Sequence, residues 1–238
     1  MKNCLAFLLL FLLGAAAPAQ TGHRELALNA YLTSDPAAWR QAITAAEGQI
    51  SDETTRRLTQ AEYQLAGAFA SFGRGDDAAR DRFMNALDSN LDAYWKLDDA
   101  NATAHGLYSA LLGLRIARKP MSAMIYGSRA GSYAKKAIKL DANHPTALYH
   151  AAGNLYYTPE QWGGDPALAI TYLEKSVAAY AGDATNYRYL EALARLGEVQ
   201  ASVGQTEAAR ATYQRALAAR PDFAYVSQVL LPKLDGSK

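Results

Sequence analysis

The chain has 238 residues, of which 50% are hydrophobic and 20% are charged. It is therefore long enough for a substantial core, and its composition is not that of a disordered chain. The 24 basic and 23 acidic residues nearly cancel, which argues against a general nucleic-acid binder, because phosphate neutralisation needs a basic surplus. The single cysteine, Cys4, lies in the first segment, so no disulfide supports the rest.

Residues 1–19 have the pattern of a secretory signal peptide. Lys2 precedes an apolar stretch over residues 5–13, and small residues follow, with Ala17 and Ala19 in the A-x-A arrangement of a cleavage site. The apolar stretch is too short to span a bilayer, which needs about 20 residues. We therefore predict cleavage after Ala19 and a periplasmic or secreted protein without stable membrane insertion.

The remaining sequence predicts helices throughout, because it is rich in good helix formers and its β-branched residues are scattered. The first start signal is Asp35-Pro36, a capping residue followed by proline in the first turn. Trp39 is expected in the core of that helix. We assign residues 20–56 to an N-terminal capping region with a capping helix; residues 23–48 either cap the helices that follow or join them as part of the array.

Two later segments share one two-helix template of large and small residues. The two copies consist of Tyr63, Ala66, Gly67, Ala70, Ala79 and Phe83, and of Leu193, Leu196, Gly197, Gln200, Ala209 and Tyr213. The spacing from Gly67 to Ala79 recurs from Gly197 to Ala209. Small residues at these places let two antiparallel helices cross closely.

Two looser copies of the template lie between these segments. One contains Ser109 and Gly113, and the other contains Ala152. Both have a longer turn between their helices, around Lys119-Pro120-Met121 and around residues 158–164.

These spacings resemble the tetratricopeptide repeat (TPR) pattern W-x2-L-G-x2-Y…A-x3-F over about residues 61–223. The resemblance implies an all-α, right-handed superhelical array of antiparallel helix hairpins, about four repeats over residues 57–223, with a C-terminal helix or tail over residues 224–238. It also implies a concave groove lined by the first helix of each repeat. The turn Trp162-Gly163-Gly164-Asp165-Pro166 and the signal peptide are similar to those of periplasmic TPR proteins associated with TRAP-type transporters.

The groove positions of TPR proteins, carried onto this sequence, give candidate binding residues in three repeats. They are Gln64 and Phe72 in the first, Tyr149, Tyr156 and Tyr157 in the third, and Glu191, Glu198 and Ser202 in the last. Asn154 and Trp162 join the three tyrosines in the densest aromatic group of the chain. Such a group suits a peptide or small-molecule site, and it also suits a packed core between repeats.

The Gly163-Gly164 pair also has two interpretations. It either ends one helix and lets Asp165 cap the next, or it forms a contact loop with Trp162.

No motif of a catalytic or metal site is complete. None of the four histidines stands in an H-E-x-x-H motif, and no cysteine follows Cys4. Ser132 and Lys135 match S-x-x-K without its companion motifs, and we interpret Lys135 as part of a solvated basic face. We therefore predict no catalytic residue, no metal site and no cofactor.

Basic residues cluster in one part of the sequence: Arg115, Arg118, Lys119, Arg129, Lys135, Lys136 and Lys139. In one interpretation they face an anionic partner or lipid headgroups. In the other, the preceding acids neutralise them across neighbouring helices: Asp88, Asp92, Asp98 and Asp99.

The sequence thus predicts an exported, non-catalytic TPR scaffold that holds a protein or peptide partner of the cell envelope in its concave groove, without binding nucleic acid. The alternative is a small-ligand or assembly component of a periplasmic, TRAP-type solute-uptake system. A homo-oligomer is compatible with both.

Overall fold

The structure, a computed structural model, describes residues 21–180 and 182–236. The predicted signal peptide, residues 1–19, lies outside the described residues. The described chain is helical, and its eleven α-helices are α1 His23–Thr33, α2 Pro36–Gln49, α3 Glu53–Gly73, α4 Asp77–Tyr94, α5 Ala102–Arg118, α6 Ala123–Leu140, α7 Pro145–Tyr157, α8 Pro166–Tyr180, α9 Tyr187–Ser202, α10 Thr206–Ala219 and α11 Leu231–Gly236. Short 3-10 turns at Pro120–Ser122 and Glu160–Trp162 precede α6 and α8, and a π-helical segment, Tyr225–Leu230, leads into α11.

Six of the helices begin at a capping side chain that the sequence already displays. Asp35, Asp52 and Asp76 accept hydrogen bonds of 2.8, 2.7 and 2.9 Å from backbone N–H groups in the first turns of α2, α3 and α4. Asn101 and Asn186 cap α5 and α9 in the same way. Because each cap contributes about 1 kcal/mol, the boundaries that set the helix pairing are encoded locally.

The helices pair as antiparallel hairpins, which confirms the predicted all-α array. α3 packs against α4, α5 against α6, α7 against α8, and α9 against α10. Consecutive hairpins stack because α5 lies against both α3 and α7, while α6 and α8 contact the first helix of the next hairpin.

Two glycines of the repeated template lie where the helices of a hairpin cross. A Cβ atom on Gly67 would stand 2.6 Å from Cε1 of Phe83, and one on Gly197 would stand closer still to the ring of Tyr213. Carbon atoms do not approach that closely without a shift, so glycine lets these rings cover the facing helix.

In the α5–α6 hairpin, the residue at the close helix contact lies about one helical turn before the position that the template predicts. Its buried contact is made by Ser109, whose hydroxyl donates a 2.8 Å hydrogen bond to the carbonyl of Ala130. Gly113 is exposed, and a Cβ there would meet no atom within 4 Å. Ser109, rather than Gly113, therefore sits in the close contact with α6.

The longer turn between α7 and α8 depends on both glycines of the Gly163-Gly164 pair. Gly163 has φ +93°, in the left-handed region that glycine accepts without strain. A Cβ on Gly164 would collide with the carbonyl oxygen of Thr158. Asp165 then caps α8 by accepting a 2.9 Å hydrogen bond from the N–H of Leu168, so the pair ends one helix and positions the start of the next.

The N-terminal region is a hairpin of two helices where a single capping helix was expected. Ser34, with φ 50°, separates α1 from α2, and α2 packs on α3 as a further repeat would. Trp39 is in the core, as predicted, with 1% of its surface exposed. α1 also contacts α9, so the two ends of the array touch.

Side chains from the first and last repeats close the array. The Tyr31 ring lies 5.8 Å from that of Tyr187 and 5.5 Å from that of Phe223. Glu62 on α3 forms an ion pair with Arg188 on α9 at 3.4 Å. Part of the concave side is therefore covered, and a pocket remains between the ends.

Candidate functional site

A pocket of about 450 Å³, here called the central pocket, lies between α1, α2, α3, α7, α9 and the segment after α10. Its aromatic lining consists of Tyr31, Trp39, Phe69, Tyr149, Tyr157, Phe223 and Tyr225. Its charged lining consists of Arg74, Glu191, Arg195 and Glu198. Both the volume and the mixture of aromatic walls with a few polar groups are typical of small-molecule sites.

The aromatic wall is built from rings that hold one another in place. Trp39 meets Tyr187 edge-on with ring centroids 5.1 Å apart, and the Tyr63 ring lies 5.7 Å from Trp39 and 6.1 Å from Tyr187. Tyr31 bridges from Tyr187 to Phe223. Edge-to-face pairs of this kind stabilise by about 0.5–1.5 kcal/mol beyond their buried area, so the wall is set before any ligand enters.

The polar side of the pocket is organised around Arg195 on α9. Arg195 pairs with Glu198 at 3.3 Å, donates a hydrogen bond to the Tyr157 hydroxyl and lies 5.2 Å from the centre of the Tyr157 ring. Tyr225 donates a 2.8 Å hydrogen bond to the Glu198 carboxylate. The charges of Arg195 and Glu198 therefore cancel, and their partners fix both side chains.

A buried polar cluster adjoins the pocket and joins α3, α7, α8 and α9. Arg188, with 5% of its side chain exposed, pairs with Glu191 at 2.9 Å and with Glu62 at 3.4 Å. The hydroxyl of Tyr180 shares a 2.7 Å hydrogen bond with that of Thr146. The cluster ties the first repeat to the last by charge as well as by aromatic contact.

Burial keeps the tyrosines and the histidine around the pocket uncharged. It raises the pKa of both Tyr31 and Tyr149 above the ordinary value of 10, and the nearby Glu191 carboxylate adds to the shift. Burial lowers the pKa of His150 well below 6.5, and the charges of Arg188 and Arg195 lower it further. At neutral pH the tyrosines are phenols and His150 is a neutral imidazole.

Arg74 differs from the other charged residues of the pocket. It ends α3 at the rim, where its side chain is exposed and donates a 3.3 Å hydrogen bond to the carbonyl of Ser34. Across residues 21–180 and 182–236, no carboxylate pairs with it. The pocket thus has a positive charge at its mouth that is free to meet an acidic group.

The ten candidate binding residues from the sequence divide into two groups. Those that line the central pocket are Tyr149, Tyr157, Glu191 and Glu198. Those that lie outside it are Gln64, Phe72, Asn154, Tyr156, Trp162 and Ser202. The aromatic group of the third repeat is accordingly divided between the pocket, the core and the surface.

Residues of the first repeat outside the pocket face their own hairpin partner. Gln64 accepts a 3.2 Å hydrogen bond from Asn90 of α4. Phe72 has the guanidinium of Arg80 5.9 Å from its ring centre. The groove positions Gln64 and Phe72 of the first repeat therefore contact α4 instead of the central pocket.

The remaining four have different surroundings. Asn154 lies beside α6, and Tyr156 packs against the core. Trp162 is exposed in the turn before α8. Ser202 donates a 2.7 Å hydrogen bond to the carbonyl of Val199 in its own helix.

Several pocket residues were absent from the sequence-based set. These are Tyr31, Trp39, Phe69, Arg74, Arg195, Phe223 and Tyr225. The position of Arg195, four residues after Glu191 and three before Glu198 on one helical face, is a signal that could have identified it. Tyr31 and Tyr225 lie outside the repeat template, and no local pattern marks them.

The S-x-x-K match forms no catalytic pair. Ser132 and Lys135 are both exposed on α6, and the Ser132 hydroxyl donates a 2.9 Å hydrogen bond to the carbonyl of Ser128. Within the described ranges, no three His, Cys, Asp or Glu side chains converge as metal ligands would. In the same ranges, no helix combines the length and apolar character needed to cross a bilayer.

Solved structures with a similar architecture include the following two. The HusA haemophore from Porphyromonas gingivalis is similar with a TM-score of 0.60 and 20% sequence identity, covering 79% of this chain and 96% of that one. A thermophilic TPR protein of Thermus thermophilus is similar with a TM-score of 0.55 and 16% identity, covering 88% and 97%. No protein-family profile and no curated protein sequence matches the chain. The fold is a TPR-like array of helical repeats.

Proposed function

We propose that this chain is an exported, non-catalytic binding protein whose central pocket takes a small, flat aromatic ligand bearing an acidic group. The observation that carries the proposal is a half-open aromatic pocket with Arg74, which forms no ion pair among the described residues, at its mouth. Export rests on the signal-peptide pattern of residues 1–19, and the lack of catalysis rests on the incomplete motifs.

The chemistry of the walls favours an uncharged, aromatic ligand body. Phe69, Tyr157 and Tyr225 line the pocket and are the exposed rings among its aromatic residues. Hydrogen bonds to Arg195 and Glu198 hold Tyr157 and Tyr225, so packing a ligand against them costs little side-chain entropy. The inner charges of Arg195 and Glu198 are paired with each other, so a charged ligand body finds no free counter-ion there. An acidic group is stabilised only at the rim, beside Arg74.

Porphyrins are the first ligand class to test, because they are flat aromatic rings with carboxylate side chains and one similar structure is that of a haemophore. The lining contains no His, Cys or Met, so only tyrosine oxygens could coordinate an iron. The raised pKa of Tyr31 and Tyr149 opposes phenolate formation. We therefore expect the ring and its carboxylates, rather than the metal, to determine binding.

A peptide or protein partner in an open groove is the less favoured function, since α1 and α2 cover part of the concave side and leave a pocket. Neither similar structure supports a link to TRAP-type transporters.

The test is a titration of the chain from Gln20 onward with protoporphyrin IX, with its iron complex and with its dimethyl ester, followed by porphyrin absorbance. We expect saturable binding of the first two with dissociation constants within about threefold of each other, which is a difference of under 1 kcal/mol.

Arg74→Gln should weaken the binding of the two carboxylate-bearing ligands about tenfold, since charge-assisted hydrogen bonds contribute about 1.5–3 kcal/mol when desolvated and less at a rim. It should leave the affinity for the dimethyl ester unchanged. Arg82→Gln, an exposed arginine on α4, is the matched control. Absence of saturable binding, or equal effects of the two substitutions, would refute the proposal; binding of iron porphyrin alone would refute the metal-independent version of it.

A further inference from the structure

The α5–α6 hairpin carries a charge imbalance that the rest of the chain lacks. From Ala100 to Leu140 the sequence contains no acidic residue and seven basic ones. Over the whole chain the two signs nearly balance. The hairpin is therefore a cationic segment in a neutral protein.

Only part of this positive charge is neutralised within the fold. Arg115 pairs with Asp88 at 2.7 Å, and Arg118 pairs with Asp81 at 2.8 Å, so acids of α4 do offset two of the arginines. Arg129 is held by the Tyr108 hydroxyl at 3.2 Å.

The lysines of the hairpin remain unpaired. They are Lys119, Lys135, Lys136 and Lys139. All four are exposed, and none has a carboxylate within ion-pair distance in the part of the chain that the structure describes. Acids of neighbouring helices thus neutralise two arginines of the hairpin and none of its lysines.

Large apolar side chains project from the end of the same hairpin. Met121 is 75% exposed, Met124 is 88% exposed and Ile125 is 63% exposed. They occupy the longer turn and the first turn of α6, at a spacing that places them on one side of the helix. Three large apolar side chains exposed side by side differ from the singly scattered ones that a protein surface normally carries.

The apolar end and the lysines share the outer face of α6. Lys135 and Lys139 follow Ile125 at helical spacing, and they lie about 15–20 Å from it along the axis. A flat surface laid along α6 therefore reaches both features at once. We call Met121, Met124, Ile125, Lys135 and Lys139 the α6 face.

We propose that the α6 face docks on an anionic lipid surface, with its apolar end in the headgroup region and its lysines over the headgroups. The projecting side chains fit a deformable layer, whereas a protein partner would have to supply a separate cavity for each. Basic residues beside a small apolar surface are the pattern of peripheral membrane attachment. The proposal is independent of what the central pocket binds.

The test measures co-sedimentation of the chain from Gln20 onward, which contains every described helix, with vesicles of phosphatidylcholine alone or with about 30% phosphatidylglycerol, a leaflet charge that attracts basic segments. We expect binding to the anionic vesicles only, and its loss at about 0.5 M salt, where the screening length falls well below that at physiological salt.

Two paired substitutions separate the charge from the site. Lys135→Gln with Lys139→Gln should weaken binding about 25-fold, since each lysine near such a surface contributes about fivefold. Lys96→Gln with Lys175→Gln removes the same charge from exposed lysines elsewhere and should change binding by less than about threefold, as only their distant field is lost.

The apolar contribution is tested by Met124→Ser with Ile125→Ser, compared with Trp162→Ser in the other long turn. We expect Met124→Ser with Ile125→Ser to abolish vesicle binding and Trp162→Ser to retain it. Melting curves check that each variant is folded. No binding to anionic vesicles, equal loss in the paired lysine variants, or binding to polyglutamate in place of vesicles would each overturn the proposal, the last in favour of an acidic protein partner.

Discussion

Replacing Gly197 by alanine tests the close helix crossing on which the hairpin array depends. The added methyl group would overlap the ring of Tyr213, which is buried with almost no exposed surface. Overpacking of this kind costs about 1–3 kcal/mol. Alanine regains up to about 1 kcal/mol in a helix because glycine loses more backbone entropy on folding. We expect a net loss of about 1–2 kcal/mol in the free energy of unfolding.

Gly113→Ala is the matched control, because the same change in α5 places its methyl group where no atom lies within 4 Å. It should raise the free energy of unfolding by about 0.5–1 kcal/mol. Gly67→Ala, whose methyl group would meet Phe83, should behave like Gly197→Ala.

Thermal unfolding followed by far-ultraviolet circular dichroism measures all three. For a chain of this length, 1 kcal/mol shifts the melting temperature by about 2–4 °C. We expect Gly197→Ala and Gly67→Ala to melt about 2–8 °C lower than the parent protein, and Gly113→Ala to melt higher. If Gly197→Ala melted at or above the parent temperature, the helices would not need to approach as closely as the structure has them.

Three further changes test the turn, the closure of the array and the buried histidine. Gly164→Ala should lower the free energy of unfolding by about 2 kcal/mol or more, because its methyl group would collide with a backbone carbonyl. Gly153→Ala, whose methyl group lies in open space on α7, should not destabilise the protein. Equal melting temperatures for the two variants would contradict the turn geometry. Glu62→Gln should lower the free energy of unfolding by about 1–3 kcal/mol, because Arg188 is buried and loses one of its two carboxylates. Glu53→Gln breaks an exposed pair with Arg57 and should lower it by under about 1 kcal/mol. Denaturant unfolding of both variants measures the difference. Acid should destabilise the protein because the folded pKa of His150 lies well below 6.5, so the unfolded state takes up its proton first as the pH falls through about 6.5. His150→Gln should make this loss of stability smaller by up to about 1.4 kcal/mol per pH unit. The measurement is the free energy of unfolding at pH 7.5 and at pH 5.5. A variant whose stability declines as steeply as that of the parent protein would show that His150 is not the group responsible.

The repeat architecture could be predicted because it is encoded by short-range spacing. Gly67 and Gly197 each lie in the same helix-crossing environment, and their spacing to the next helix is visible in the sequence. Asp35 caps the helix that it was expected to cap. In the second hairpin the template failed at Gly113, because Ser109 makes the close contact by donating a hydrogen bond to α6.

The candidate site was only partly predictable, because its walls come from opposite ends of the chain. Glu191 and Glu198 lie on a repeat helix and were found. Tyr31 and Phe223 meet in space without any periodic relation in the sequence. Gln64 was selected on the assumption of an open groove, and its amide instead faces Asn90 of α4.

Contact between the two ends of the array links its stability to the central pocket. In an open solenoid each repeat contacts only its neighbours, so stability is nearly a sum over adjacent interfaces. Here Tyr31 of α1 contacts Tyr187 of α9, and Glu62 of α3 pairs with Arg188 of α9, so the first and last repeats also stabilise each other. The central pocket lies at that same junction.

A ligand that fills the central pocket must therefore stabilise both ends of the array together. At a ligand concentration of about 100 times the dissociation constant, binding adds about 2.7 kcal/mol to the free energy of unfolding, or about 5–10 °C in melting temperature. Glu62→Gln removes an ion pair between the first and last repeats. It should therefore weaken ligand binding as well as the stability of the fold, although Glu62 does not line the pocket. A ligand affinity that is unchanged in Glu62→Gln would show that the pocket is formed by its own walls and not by closure of the array.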